Sequence, residues 1–124
     1  IGIMGFSAGG MLAAATAFDY TSANRPDFVV PVYADFPETR IKNVLPDAPP
    51  LYIVCAQDDE FGFVTHAINL YNKWYASRRP AELHLFEKGG HGFGVGDPSN
   101  TTHNWMDHFG KWLTVQHLMM PVAG

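Results

Sequence analysis

Three kinds of side chain in this sequence could share one nucleophilic displacement, and they occur in the order hydroxyl, carboxylate, imidazole. Ser7 sits in the run GFSAGG (5–10), after the apolar IGIM and before MLAAATAF. Two adjacent carboxylates, Asp58 and Asp59, follow the apolar stretch LYIVCA (51–56), and His91 lies in the glycine-rich segment KGGHGFGVGDPSN. A serine hydroxyl is a poor nucleophile until an imidazole takes its proton. The imidazole in turn needs a carboxylate to hold its tautomer and to stabilise the imidazolium that forms. A glycine-x-serine-x-glycine run between a strand and a helix places the serine on a sharp turn. A Cβ at Gly5 or Gly9 is expected to collide with its surroundings there. The Ala8 N–H, at the positive end of the helix, is the expected donor to an oxyanion. On the residues alone, either Asp58 or Asp59 is the acid, and the other caps the next helix or binds water.

These residues need elements to bring them together, and the pattern supplies alternating strands and helices. IGIMG is a short buried strand, followed by a helix from Gly9 to about Tyr20. DFVVPVYAD (27–35) is a β-branched strand in which Pro31 predicts a bulge or distortion. Residues 36–50, with prolines at 37, 46, 49 and 50, form a loop with at most a short helical turn. LYIVCA is a buried strand, and Val64 to about Ser77 is a helix with Ala67, Leu70, Tyr71 and Trp74 on one face. ELHLFE (82–87) is the last strand, and a final helix begins near Thr101 or Thr102. Strands apolar on both faces and separated by helices predict an α/β fold, a parallel sheet of about four strands flanked by helices. In such sheets chemistry gathers at the carboxyl ends of the strands. Ser7, the Asp58–Asp59 pair and His91 all fall there.

Composition narrows the function classes. The chain has 124 residues, 47% hydrophobic and 16% charged, which suits one folded domain spanning 1–124. A net charge of −4 with no basic cluster beyond Arg78–Arg79 argues against nucleic acid. No apolar run has the length of about 18 residues that a membrane helix needs. The chain opens in mid-strand without a methionine, so a targeting segment upstream is compatible with it, and cytoplasmic and secreted locations both stay open. Cys55 is the single cysteine, read as core and not as nucleophile, and no disulfide framework or cysteine metal site is expected. His84 alternates with Leu83 and Leu85 and reads as a packed histidine. His103, His108 and His117 have the wrong spacing for a shared ligand face, and His66 has no evident metal partner. Trp105, Phe109, Trp112 and Leu113 form a core stripe on the last helix. Phe36, Phe61 and Phe63 are expected at the active edge, lining an acyl pocket or covering the sheet.

The runs GFSAGG, RPDF, LYIVCAQDDEFG and AELHLFEKGGHGFG, with the terminal Trp105, Phe109, Trp112 and Leu113, resemble the alpha/beta-hydrolase esterases of the acetyl esterase and acetyl-xylan-esterase-like type. These are relatives of the dienelactone hydrolases and the prolyl-peptidase-like hydrolases. The resemblance implies a serine carboxylesterase acting on short-chain acyl esters, with Ser7 as nucleophile, His91 as base and Asp59 as acid. It prefers Asp59 because the family's carboxylate stands second in such a pair, three residues after a Gly or Ala, here Ala56. The family continues with two residues and Val-Pro, whereas this chain reads Glu60, Phe61, Gly62, Phe63. The substrate is expected to be a small-molecule ester, an acetylated sugar by resemblance, and no cofactor or metal is implied. Similar proteins are about twice as long, and their first half carries a His-Gly-Gly type loop with a second oxyanion donor. This sequence therefore reads as the C-terminal half of an alpha/beta-hydrolase fold. A natural short chain of this kind is expected to form a homo-oligomer that covers its exposed sheet. The alternatives are a catalytically idle module used for assembly or binding, and a prolyl-peptidase-like serine peptidase.

Overall fold

The computed structural model describes residues 1–118. Four strands form one parallel sheet in the order of the chain: β1 (Gly2–Phe6), β2 (Phe28–Val32), β3 (Leu51–Ala56) and β4 (Ala81–Phe86). Helix α1 (Ala8–Thr16) joins β1 to β2, α2 (Val64–Ala76) joins β3 to β4, and α3 (Trp105–Val115) follows β4. A single 3-10 turn, Glu38–Arg40, is the only helix-like piece of the 36–50 loop. Among the described residues, no helix is long and apolar enough to cross a membrane.

Strand alternation sorts the side chains into two layers. All six residues of β3 are buried. Ile53 packs toward Ala67 and Leu70 of α2. On that same face Phe18, just past α1, meets Trp74 of α2 edge-to-face at 5.0 Å. Tyr52 points the other way, into Trp105, Phe109 and Trp112 of α3. Phe28 joins it, and its ring fills the space a side chain at Gly2 would need. The predicted aromatic stripe of α3 is thus the core of the second layer. His84 is packed as expected: it stacks on Tyr52 at 5.0 Å, and its Nε2 lies 2.6 Å from Glu82 Oε2. Burial pushes the Cys55 thiol up to about 12, which keeps it an unreactive core group.

Pro31 sits in an interior strand and distorts it. Val29 and Tyr33 donate their N–H groups to the Pro50 and Val54 carbonyls. Pro31, halfway between, has no N–H to give, and the β2–β3 register is interrupted between Val29 and Val32. The predicted elements otherwise shift only at their ends. Helix α1 stops at Thr16 and not Tyr20, and α3 starts at Trp105. The residues before α3 form turns organised by Thr102, whose buried hydroxyl accepts the Asp97 N–H at 2.9 Å.

The tight passage from β1 into α1 depends on Gly5. A Cβ at this position would stand 2.0 Å from the Gly9 carbonyl oxygen, a helix backbone atom with nowhere to go. The second close glycine is Gly10, whose Cβ would meet Ala34 Cβ at 2.9 Å. Gly9, where a collision was expected, has nothing within 4 Å, because its side-chain direction opens away from the sheet. Gly5→Ala is therefore expected to destabilise the fold by about 3 kcal/mol. Gly9→Ala should be neutral or stabilising by about 0.5–1 kcal/mol through lost unfolded-state freedom. Urea midpoints of the two variants check this, and equal midpoints would overturn it.

Candidate active site

Ser7 is the hinge between β1 and α1, and its backbone is strained, with φ 56° and ψ −117°. A non-glycine residue in this region costs on the order of 1–3 kcal/mol, which the surrounding structure must hold. Two backbone hydrogen bonds do so: Ser7 N–H donates to the Val32 carbonyl at 2.9 Å, and the Ser7 carbonyl accepts from Met11 N–H at 3.0 Å. The hydroxyl is left free of the backbone. Ala8 is the first residue of α1, so its N–H has no carbonyl within the helix to bond.

His91 arrives from the loop after β4. Its Nε2 lies 2.8 Å from Ser7 Oγ, and its Nδ1 lies 2.8 Å from Asp59 Oδ2. The Asp59 side chain is wholly buried, and the His91 side chain is only 14% exposed. An ionised carboxylate only accepts hydrogen bonds, so the Nδ1–H is the donor to Asp59. That leaves the Nε2 lone pair to accept the Ser7 hydroxyl. The second Asp59 oxygen, Oδ1, accepts the Phe61 N–H at 2.9 Å, so both oxygens are fixed.

The two acids flanking Asp59 grip the backbone of the histidine loop. Asp58 Oδ1 accepts the Gly90 N–H at 2.7 Å, and Glu60 Oε2 accepts the His91 N–H at 3.1 Å. Three consecutive carboxylates thus hold one histidine, the central one by its ring and the outer two by the chain around it. Gly92, with φ 105°, gives the loop a bend that an L side chain rarely adopts. On the far side, Trp105 Nε1–H donates to the Gly94 carbonyl at 2.8 Å.

Tyr33 is a site residue that the sequence reading passed over. It follows β2 with φ 36°, is buried, and sets its ring edge-on to His91 with centroids 4.6 Å apart. Its hydroxyl accepts the Gly94 N–H at 3.3 Å. The available signal was positional, since Tyr33 stands at the carboxyl end of a strand like the other three.

A cavity of about 250 Å³ opens over the serine, lined by Ser7, Ala8, Met11, Asp35, Phe61, Phe63 and His91. Phe61 and Phe63 stack on each other at 5.4 Å, and both present edges to the His91 ring. Phe36 does not line it. That ring is 2% exposed, stacked on Phe18 at 5.6 Å, because the chain after Asp35 turns back under the helices. Among the described residues, no cluster of three or more His, Cys, Asp or Glu side chains could hold a metal ion.

No curated protein sequence matches this chain. Solved structures do resemble it. MGS-M1, an alpha/beta hydrolase enzyme from a Medee basin deep-sea metagenome library, is 25% identical with a TM-score of 0.79, over 94% of this chain and 54% of that one. The acetyl ester-xyloside bifunctional hydrolase of Caldicellulosiruptor lactoaceticus is 24% identical with a TM-score of 0.80, over 96% of this chain and 57% of that one. The carboxylesterase Cest-2923 of Lactobacillus plantarum WCFS1 is 18% identical with a TM-score of 0.80, over 98% and 60%. The chain therefore spans 54–60% of the length of these structures, and with them it has the alpha/beta-hydrolase fold. The family model of the dienelactone hydrolases matches residues 1–119, and the chain belongs to the dienelactone hydrolase family.

Proposed function

We propose that this chain carries the catalytic residues of a serine ester hydrolase acting on short-chain acyl esters. The observation that carries the reading is the unbroken run from Ser7 Oγ through His91 to a fully buried Asp59, with 2.8 Å at each step. Ser7 Oγ attacks the ester carbonyl carbon while its proton passes to His91 Nε2. The oxyanion that forms faces the Ala8 N–H at the start of α1. Collapse of the tetrahedral intermediate breaks the ester C–O bond, and the alcohol leaves with the proton from Nε2. Water then gives a proton to Nε2 and attacks the acyl-serine, and the carboxylic acid departs as Ser7 regains its hydrogen. Asp59 stays ionised throughout and supports the imidazolium in both halves.

The apolar walls of the cavity, Met11, Phe61 and Phe63, suit a short acyl chain. Similarity to an acetyl ester-xyloside hydrolase supports an acetylated sugar as the natural substrate. The Ala8 N–H, at the start of α1, is an oxyanion donor in this reading, and one such donor contributes about 10²–10³ in kcat. The test combines a fluorophosphonate probe with p-nitrophenyl acetate and p-nitrophenyl octanoate. Labelling of Ser7 and faster hydrolysis of the acetate are expected. A folded chain that leaves the probe unreacted and hydrolyses neither ester above buffer would favour an idle module used in assembly or binding.

A further inference from the structure

The cavity over Ser7 contains one carboxylate that the proposed reaction does not use. Asp35 lies three residues beyond the end of β2 and lines the cavity together with Ser7 and His91. No lysine or arginine shares that lining, and its other walls are the apolar Met11, Phe61 and Phe63.

Asp35 also lies close to α2. Its Oδ1 lies 3.6 Å from Nδ1 of His66, the third residue of α2. That nitrogen is buried and makes no hydrogen bond, and the Asp35 carboxylate stands just beyond bonding distance of it. The His66 ring is itself fixed, stacked on Phe63 at 5.3 Å. The carboxylate thus has one oxygen directed at α2, while its side chain remains 54% exposed. A carboxylate in such a position does two things. It accepts hydrogen bonds from hydroxyl groups, and it repels a second negative charge in the same confined space.

We infer that Asp35 sets the charge preference of this site, turning away esters that carry an anionic group and admitting neutral, hydroxyl-bearing ones. The inference rests on the ester-hydrolase reading above and deepens it. A substrate carboxylate roughly 6 Å from Asp35, at an effective dielectric of about 40 for a half-open site, meets a repulsion equivalent to about tenfold in kcat/KM. An acetylated sugar satisfies the preference, since it offers hydroxyls and no charge.

The test compares p-nitrophenyl butyrate with mono-p-nitrophenyl succinate, which match in length and differ in charge. Asp35→Asn keeps the shape and removes the charge. The ratio of kcat/KM for the succinate to that for the butyrate is expected to rise about tenfold in the variant. The discrimination by the unsubstituted chain should shrink as salt is raised. A purely structural role would change both substrates together, and an unchanged ratio would overturn the inference. Equilibrium binding of the two esters to Ser7→Ala, with and without Asp35→Asn, separates the two ideas. A charge preference in binding that Asp35→Asn removes, without turnover by the unsubstituted chain, upholds Asp35 and rejects the hydrolase. Turnover with an unaltered ratio does the reverse.

Discussion

Replacing Ser7 by alanine is expected to lower kcat for p-nitrophenyl acetate by a factor on the order of 10³–10⁶, to the level that binding and the oxyanion donor sustain alone. The size follows from the proposed chemistry. Without Oγ there is no acyl-enzyme, and water would have to attack the bound ester directly from a position that His91 is not placed to serve. The loss should fall on kcat, because the Ser7 methylene is a small part of the cavity wall and Met11, Phe61 and Phe63 remain to hold the acyl chain. The fold should persist. The backbone bonds that fix the turn, from Ser7 N–H to Val32 and from Met11 N–H to the Ser7 carbonyl, do not involve the hydroxyl. Alanine keeps the strain of φ 56° as serine does, so the unfolding free energy from urea titration should stay within about 0.5 kcal/mol. Kinetics and unfolding on the same preparation are the measurement. Undiminished hydrolysis in a folded variant would mean that the ester is cleaved elsewhere on the protein, and the proposed nucleophile would be wrong.

The strand–Ser7–helix unit, the buried β3 and the glycine-rich loop were readable because each is local. A few adjacent residues state the turn, the apolar run or the bend, and the parallel pairing follows from the crossovers, a helix in two of them and the long 36–50 loop in the third. What was not readable depends on contacts far apart in the chain. Phe36 and Phe61 look alike in sequence, yet Phe36 is sealed against Phe18 while Phe61 is 66% exposed over the cavity. Only the path of the chain after Asp35 separates them. Gly9 and Gly10 are adjacent, and which of them is crowded depends on the direction each presents to Ala34 and Val32 across the sheet. Tyr33 gave no motif, because its contact with His91 joins positions 58 residues apart. The departure from the family's Val-Pro falls at Gly62 and Phe63, and the structure gives it a physical role, since the Phe63 ring stacks on Phe61 and lines the cavity over Ser7.

The choice between the two aspartates leads to the second large effect. Asp59→Asn is expected to reduce kcat by about 10⁴, while Asp58→Asn should cost no more than about tenfold. The difference lies in what each carboxylate touches. Asp59 Oδ1 accepts the Phe61 N–H at 2.9 Å, and that partly buried donor is best matched by an oxygen. An asparagine at 59 therefore turns its carbonyl toward Phe61 and its NH₂ toward His91 Nδ1. Two donors cannot face each other, so His91 moves its hydrogen from Nδ1 to Nε2. The nitrogen facing Ser7 then carries a proton and cannot accept one, and the base is lost although every atom keeps its place. At 58 the asparagine still offers a carbonyl to the Gly90 N–H, weakening a charge-assisted bond without breaking it. The imidazole proton can be observed directly: in ¹⁵N-labelled protein, Asp59→Asn should move the protonated nitrogen of His91 from Nδ1 to Nε2, and Asp58→Asn should leave it at Nδ1. Equal activity losses with an unmoved tautomer would mean that Asp59 acts only as a buried structural carboxylate. A large loss at 58 alone would transfer the acid's role to Asp58, and the grip on Gly90 would then be incidental to it.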